Sequence, residues 1–153
     1  MKNITFHYKK MPESVYKAAL YFAFGGEAKD ARAFFNKKLS YIKAGPVESP
    51  RDGMIGHTAS YWDSKYEFTI LWVKNPGDVA ALAHEINHFV IWLFERRRVF
   101  FDADHDEHFT YYVEYLMNQF LDFVDESKPR VKKSGAPAEP WGKRSHRRHR
   151  RSQ

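Results

Sequence analysis

Two histidines four positions apart, His84 and His88, with Glu85 directly after the first, form the pattern in this chain whose residue types and spacing could do chemistry. On a helix, residues four apart stand one turn above each other on the same face, so the two imidazoles can converge on a single divalent ion. Glu85 is then turned about 100° round the axis. From there its carboxylate can reach a water in the ion's open coordination position without ligating the ion, which is the arrangement a zinc hydrolase needs. The competing possibility is a pair of core histidines hydrogen-bonded to each other. Between positions 79 and 94 the only ionisable or amide side chains are His84, Glu85, Asn87 and His88. Such a helix is expected to be apolar nearly all round and to run through the middle of the domain. Polar groups buried there need partners, and a zinc ion with a base beside it satisfies all three at once.

What must position this stretch is a domain of ordinary size, since 153 residues rich in Phe, Tyr and Trp can bury a sizeable core. The absence of cysteine removes disulfides and thiolate ligands, so any metal must be held by His, Asp or Glu. The first ten residues lack the apolar run of a signal peptide and no later run reaches transmembrane length. A soluble, cytoplasmic protein with no membrane partner is therefore expected.

Along the chain, Ile4, Phe6 and Tyr8 alternate with polar neighbours and predict a strand. Pro12 suits the first turn of a helix, which the stripe Val15, Ala18, Ala19 and Phe22 predicts as far as Phe24, with Gly25 and Gly26 as its stop. A second helix over 27–39 shows Ala31, Phe34 and Phe35 at helical spacing. The loop 44–53 is marked by its Gly and Pro residues, and two strand-like runs follow, 54–62 and 66–73, joined by a tight turn at Asp63, Ser64 and Lys65. In the second run Tyr66, Phe68, Ile70 and Trp72 fall on one face, and Glu67, Thr69, Leu71 and Val73 on the other. Asn75 or Asp78 is a candidate N-cap for the helix carrying the histidines.

After that helix comes a loop crowded with acid and imidazole, Asp102, Asp104, His105, Asp106, Glu107 and His108, opening a long helix over about 104–124. Phe109, Val113, Leu116 and Phe120 mark its apolar side, and Glu107, Tyr111, Glu114 and Asn118 make a polar stripe opposite. Such a stripe faces either solvent or the metal.

The run Leu82-Ala83-His84-Glu85 with His88, a connection of roughly twenty residues, and then Asp106-Glu107, Tyr111 and Glu114-Tyr115-Leu116 opening a second helix resembles the zincin metallopeptidases. More narrowly it is similar to the small zincin-like proteins encoded by tailed bacteriophages and prophages, over about positions 56–120. The resemblance implies an α+β fold, a minimal zincin-like domain with a small antiparallel sheet packed on the central His-Glu-x-x-His helix and a second zinc-ligand helix. It implies a gluzincin-type Zn2+ site with His84, His88 and Glu107 as ligands and Glu85 as general base. It also implies a peptide or protein substrate lying by strand addition along Tyr66–Val73. Asp104, His105, Asp106 and His108 compete with Glu107 for the third position. Where better characterised gluzincins often carry an Asp four residues after the ligand Glu, this chain has Tyr111, which would orient a ligand histidine, donate to a developing oxyanion, or only pack. Glu114, one turn on, is a further candidate to support the site.

The chain divides at 126. Residues 1–126 form the expected metallopeptidase domain. Residues 127–153 lack apolar periodicity and hold ten Lys and Arg against one Glu, an expected disordered basic tail suited to nucleic acid or another polyanion. Three function classes result: a bacteriophage-type zinc metallopeptidase; a DNA-associated zinc protease whose third ligand is His105 or His108, although the His-Gly-x-x-Phe run of such enzymes is absent; and a non-enzymatic, zinc-stabilised protein of phage assembly or host interaction.

Overall fold

The computed structural model describes residues 5–12, 19–40, 48–62, 67–100 and 106–128. In chain order they form β1 (His7–Pro12), β2 (Ala19–Phe24), α1 (Ala28–Leu39), β3 (Gly56–Trp62), β4 (Glu67–Val73), α2 (Val79–Arg97) and α3 (Asp106–Glu126). The architecture is α+β, with one four-stranded sheet in the order β1-β2-β4-β3.

Side-chain alternation in the two central strands divides the core into two layers. Leu20, Phe22, Phe24, Leu71 and Val73 point to one face, where α2 and α3 cover them; Ala23, Phe68, Ile70 and Trp72 point to the other, against Phe34 and Phe35 of α1. The β4 alternation expected from sequence is present for its described residues. The turn at 63–65 and residues 129–153 of the basic tail lie outside the described residues.

Three expectations are corrected. Where the helix predicted from Pro12 to Phe24 falls on described residues, it is replaced: Ala19–Phe24 form the strand β2, and Pro12 pairs with Ala19 in β1 at the sheet's edge, where a missing N–H is tolerated. The cause is that β2 lies between β1 and β4 with apolar side chains on both faces, and a strand buried on both faces reads as a continuous apolar run that short-range periodicity cannot separate from a helix. Gly25 and Gly26, read as a helix stop, turn the chain out of a strand instead, with φ of 79° and 65°. The sheet is mixed, not antiparallel: β1 and β3 run antiparallel to their neighbours, but β2 and β4 pair parallel, in register from Ala19 opposite Phe68 to Phe24 opposite Val73.

The third correction concerns α2. Leu82, Ile86, Phe89 and Leu93, spaced at four, three and four, are fully buried against the sheet and α3, each contributing about 1.5–3 kcal/mol by leaving water. Yet Val79, Ala80, His84, His88 and Ile91 are exposed, so the helix lies on the sheet with one side open and does not cross the centre of the domain. Asp78 caps it, its Oδ1 accepting from the Ala81 N–H at 3.0 Å, and Arg98 ends it in the left-handed region at φ 54°. Among the described residues no helix is long and apolar enough to cross a membrane.

Candidate active site

β3 is an outer strand of the sheet and α2 packs across its inner face, so two side-chain rows meet along the sheet's edge. From the strand, Gly56, Thr58, Ser60 and Trp62 project at every second position; from the helix, His84, His88 and Trp92 project at every fourth, with Glu85 beside the first. Between the rows lies an open groove of about 570 Å³.

His84 Nε2 and His88 Nε2 stand 3.0 Å apart, with their ring planes perpendicular and the ring centroids separated by 4.5 Å. Two histidines on a tetrahedral zinc, each at about 2.0–2.1 Å, have their nitrogens about 3.3 Å apart. The pair therefore fits two corners of such a site after a few tenths of an ångström of side-chain rotation. Both rings are exposed on the groove side. The same separation also suits a hydrogen bond from one ring N–H to the other ring nitrogen.

Glu85 is the one charged residue buried in the described structure, at 6 % exposure. Thr58 Oγ1 lies 2.7 Å from its Oε2 and 3.0 Å from its main-chain carbonyl, so the one hydroxyl proton is shared between the carboxylate and the helix backbone, the carboxylate being the nearer acceptor. Gly56 makes room for the carboxylate: a Cβ there would stand 2.7 Å from Oε1 and 2.8 Å from Cγ of Glu85. Among the described residues no ion pair joins this carboxylate. A buried acid with a hydroxyl on one oxygen and bare glycine backbone behind the other is held in place without a paired cation, an arrangement a general base can use.

Gly56 and Thr58 were not singled out from the sequence. The signal was there in the small residues at 56, 58 and 60 on one face of a strand whose other face carries Ala59 and Tyr61, but it gains meaning only once that face is known to meet α2. Ser60 continues the row and shares a 2.7 Å hydrogen bond with the fully buried Thr69 of β4. At the far end the Trp62 and Trp92 rings are 6.0 Å apart, and the Arg96 guanidinium lies 5.2 Å from the Trp62 ring centre.

The second helix is placed differently. α3 buries Tyr112, Leu116, Phe120 and Phe123, and Phe109 and Val113 are partly covered. The stripe Glu107, Tyr111, Glu114 and Asn118 is exposed, Tyr111 at 63 %, and none of the four lines the groove. Asp106 and His108 are exposed as well. Asp104 and His105 lie outside the described residues. Among the described residues no three His, Asp or Glu side chains gather at a point that could hold a metal. The structure thus brings together His84, His88 and Glu85, and leaves Glu107 and Tyr111 apart from them.

The expected docking strand is also corrected. β4 (Glu67–Val73) is paired on both sides, by β2 and β3, so this part of the expected Tyr66–Val73 strand has no free edge for strand addition, while Tyr66 lies outside the described residues; the outer strand beside the histidines is β3.

Set against known protein families, curated proteins and solved structures, the chain matches none.

Proposed function

We propose that the chain is a zinc-dependent metallopeptidase of the zincin kind, similar to the small bacteriophage proteins, acting on an extended peptide at the edge of β3. The observation that carries this reading is the convergence of the His84 and His88 Nε2 atoms, 3.0 Å apart, beside the buried carboxylate of Glu85. A bare structural histidine pair gives no reason for an acid to be buried next to it with glycine cleared behind it.

His84 and His88 would hold the ion through Nε2. Glu107 is the proposed third ligand; it stands on the exposed side of the first turn of α3, so ligation requires that turn to approach the pair, and Asp104, His105, Asp106 and His108 compete for the place. Bound zinc would supply a Lewis acid that polarises a carbonyl and lets water lose a proton near neutral pH. Glu85 receives that proton as the water oxygen bonds to the peptide carbonyl carbon. It returns the proton to the amide nitrogen as the carbon–nitrogen bond breaks, which leaves a carboxylic acid and an amine, and the acid's remaining proton passes to the amine to give carboxylate and ammonium. Thr58 keeps Oε2 occupied, so Oε1 is the oxygen left to exchange the proton. Tyr111 would orient a ligand histidine or donate to the developing oxyanion only if the first two turns of α3 close on the pair.

The test is metal analysis of the full-length protein together with a peptide-cleavage screen of wild type against Glu85→Gln. Zinc near one per chain in both, with cleavage in wild type alone, supports the reading. A wild-type protein without zinc after reconstitution overturns it, and equal cleavage by both proteins removes Glu85 as the base.

A further inference from the structure

The far end of the groove carries a feature that hydrolysis does not use. Trp62 closes β3 with 49 % of its surface exposed, and Trp92 meets it from α2. Trp92 is backed by Phe89, whose ring stacks near it at 6.3 Å, so its position is fixed by the core and its free face looks into the groove. The Arg96 guanidinium lies over Trp62. Its neighbour Arg97 is engaged with Glu67 at 2.7 Å, whereas among the described residues Arg96 makes no ion pair. The result is two half-open indoles with an uncommitted cation beside them.

The spacing relates this cluster to the histidines. β3 and α2 touch at both ends of the groove, through Thr58 with Glu85 and through Trp62 with Trp92, so strand and helix run side by side in the same sense. Four strand residues from Thr58 to Trp62 cover about 13 Å, and the eight helix residues from His84 to Trp92 cover about 12 Å. The two rows stay in step.

Resting on the peptidase reading above, we propose that Trp62, Trp92 and Arg96 form a specificity subsite for an aromatic side chain with an acidic residue two positions before it, on a peptide paired antiparallel to β3. A peptide in that pairing places every second side chain over α2. The residue opposite Trp62 is four positions from the one opposite Thr58 and, because the strands are antiparallel, lies on its N-terminal side. An aromatic ring there meets both indoles edge to face or offset. The side chain two residues earlier falls about 6.7 Å further along, and the Arg96 guanidinium, 5.2 Å from the Trp62 ring centre on a side chain rooted one turn beyond Trp92, is the cation that a carboxylate there would meet. The sequence selected is acid, any residue, aromatic, then about four residues to the bond beside Glu85.

The experiment uses full-length Glu85→Gln protein and fluorescein-labelled, capped decapeptides of Ala and Thr in which a single Phe is moved along the chain, with or without Asp two residues before it. Fluorescence polarisation reports binding. One Phe position should bind about tenfold more tightly than the peptide without Phe, and Trp92→Ala should remove that advantage while zinc content is unchanged. Trp62→Ala, at an exposed site that does not test the fold, should do the same. Arg96→Gln should remove only the gain from Asp. Indifference to Phe position, or an unchanged preference in Trp62→Ala, overturns the subsite. Wild-type cleavage of the Phe-free peptides is scored separately: cleavage without any Phe preference leaves the hydrolase standing and the subsite refuted, and Phe-directed binding without cleavage does the reverse.

Discussion

The Thr58 hydroxyl lies 2.7 Å from Glu85 Oε2 and 3.0 Å from the Glu85 carbonyl oxygen, so one proton from a strand side chain is shared between the carboxylate and the backbone of the helix that carries the histidines. The place of the acid in the groove depends on this attachment. It makes the position of the acid a property of the packing between β3 and α2, not of the helix alone.

Thr58→Val keeps the shape and removes the donor. Glu85, at 6 % exposure, is then left without the hydrogen-bond partner it has among the described residues, which should cost about 1–3 kcal/mol of stability. Thr58→Ser should recover most of that loss. Urea unfolding of the three proteins checks this, and a Thr58→Val protein as stable as wild type would show that the hydroxyl contributes nothing.

Gly56→Ala places a methyl group 2.7 Å from Glu85 Oε1 and 2.8 Å from its Cγ. The carboxylate must move, and overpacking of this kind typically costs about 1–3 kcal/mol. Denaturant unfolding should show that loss, and the histidine pair should keep its metal affinity, because the displaced group is the proposed base and not a proposed ligand.

His84→Ala and His88→Ala should each abolish stoichiometric zinc. In wild type, zinc at a hundredfold excess over its dissociation constant should add about 2.7 kcal/mol, so the melting temperature should rise with zinc in wild type and stay flat in both variants. Calorimetric scans with and without chelator decide it. Glu107→Ala belongs in the same series: a large loss of zinc affinity supports Glu107 as third ligand, and loss in His105→Ala or His108→Ala instead moves the reading toward the DNA-associated proteases.

Removing residues 127–153 takes away ten of the 25 Lys and Arg. If about five of those cations meet phosphates on duplex DNA, the slope of log K against log salt is near −4.5, and affinity falls roughly 500-fold between 50 and 200 mM salt. Full-length protein should show this dependence with little preference for sequence. The truncated protein should not bind but should keep its zinc, and equal binding by both would place the interaction on the body of the domain.

The sequence by itself determined the local features. The His84–His88 spacing makes the rings converge on any helix, because four residues are one turn. Asp78 caps α2 because an acid before an apolar run satisfies free N–H groups, and the two faces of β4 follow from alternation. The tertiary structure decided what depends on neighbours. The run 19–24 carries a helical pattern in the sequence because a strand enclosed on both faces loses its alternation. α2 was expected in the middle of the domain, yet its exposed side is set by how far the sheet extends beneath it. Glu107 and Tyr111 keep a helical stripe that fits either solvent or a metal, and only the packing of Tyr112, Leu116, Phe120 and Phe123 on the core turns that stripe outward. Gly56 and Thr58 lie 29 and 27 residues before Glu85 and contact it only because β3 forms the sheet's edge beside α2. Spacing along the chain is carried by covalent geometry and survives in any context, whereas a contact between distant segments exists only where burial of the whole core makes those segments adjacent.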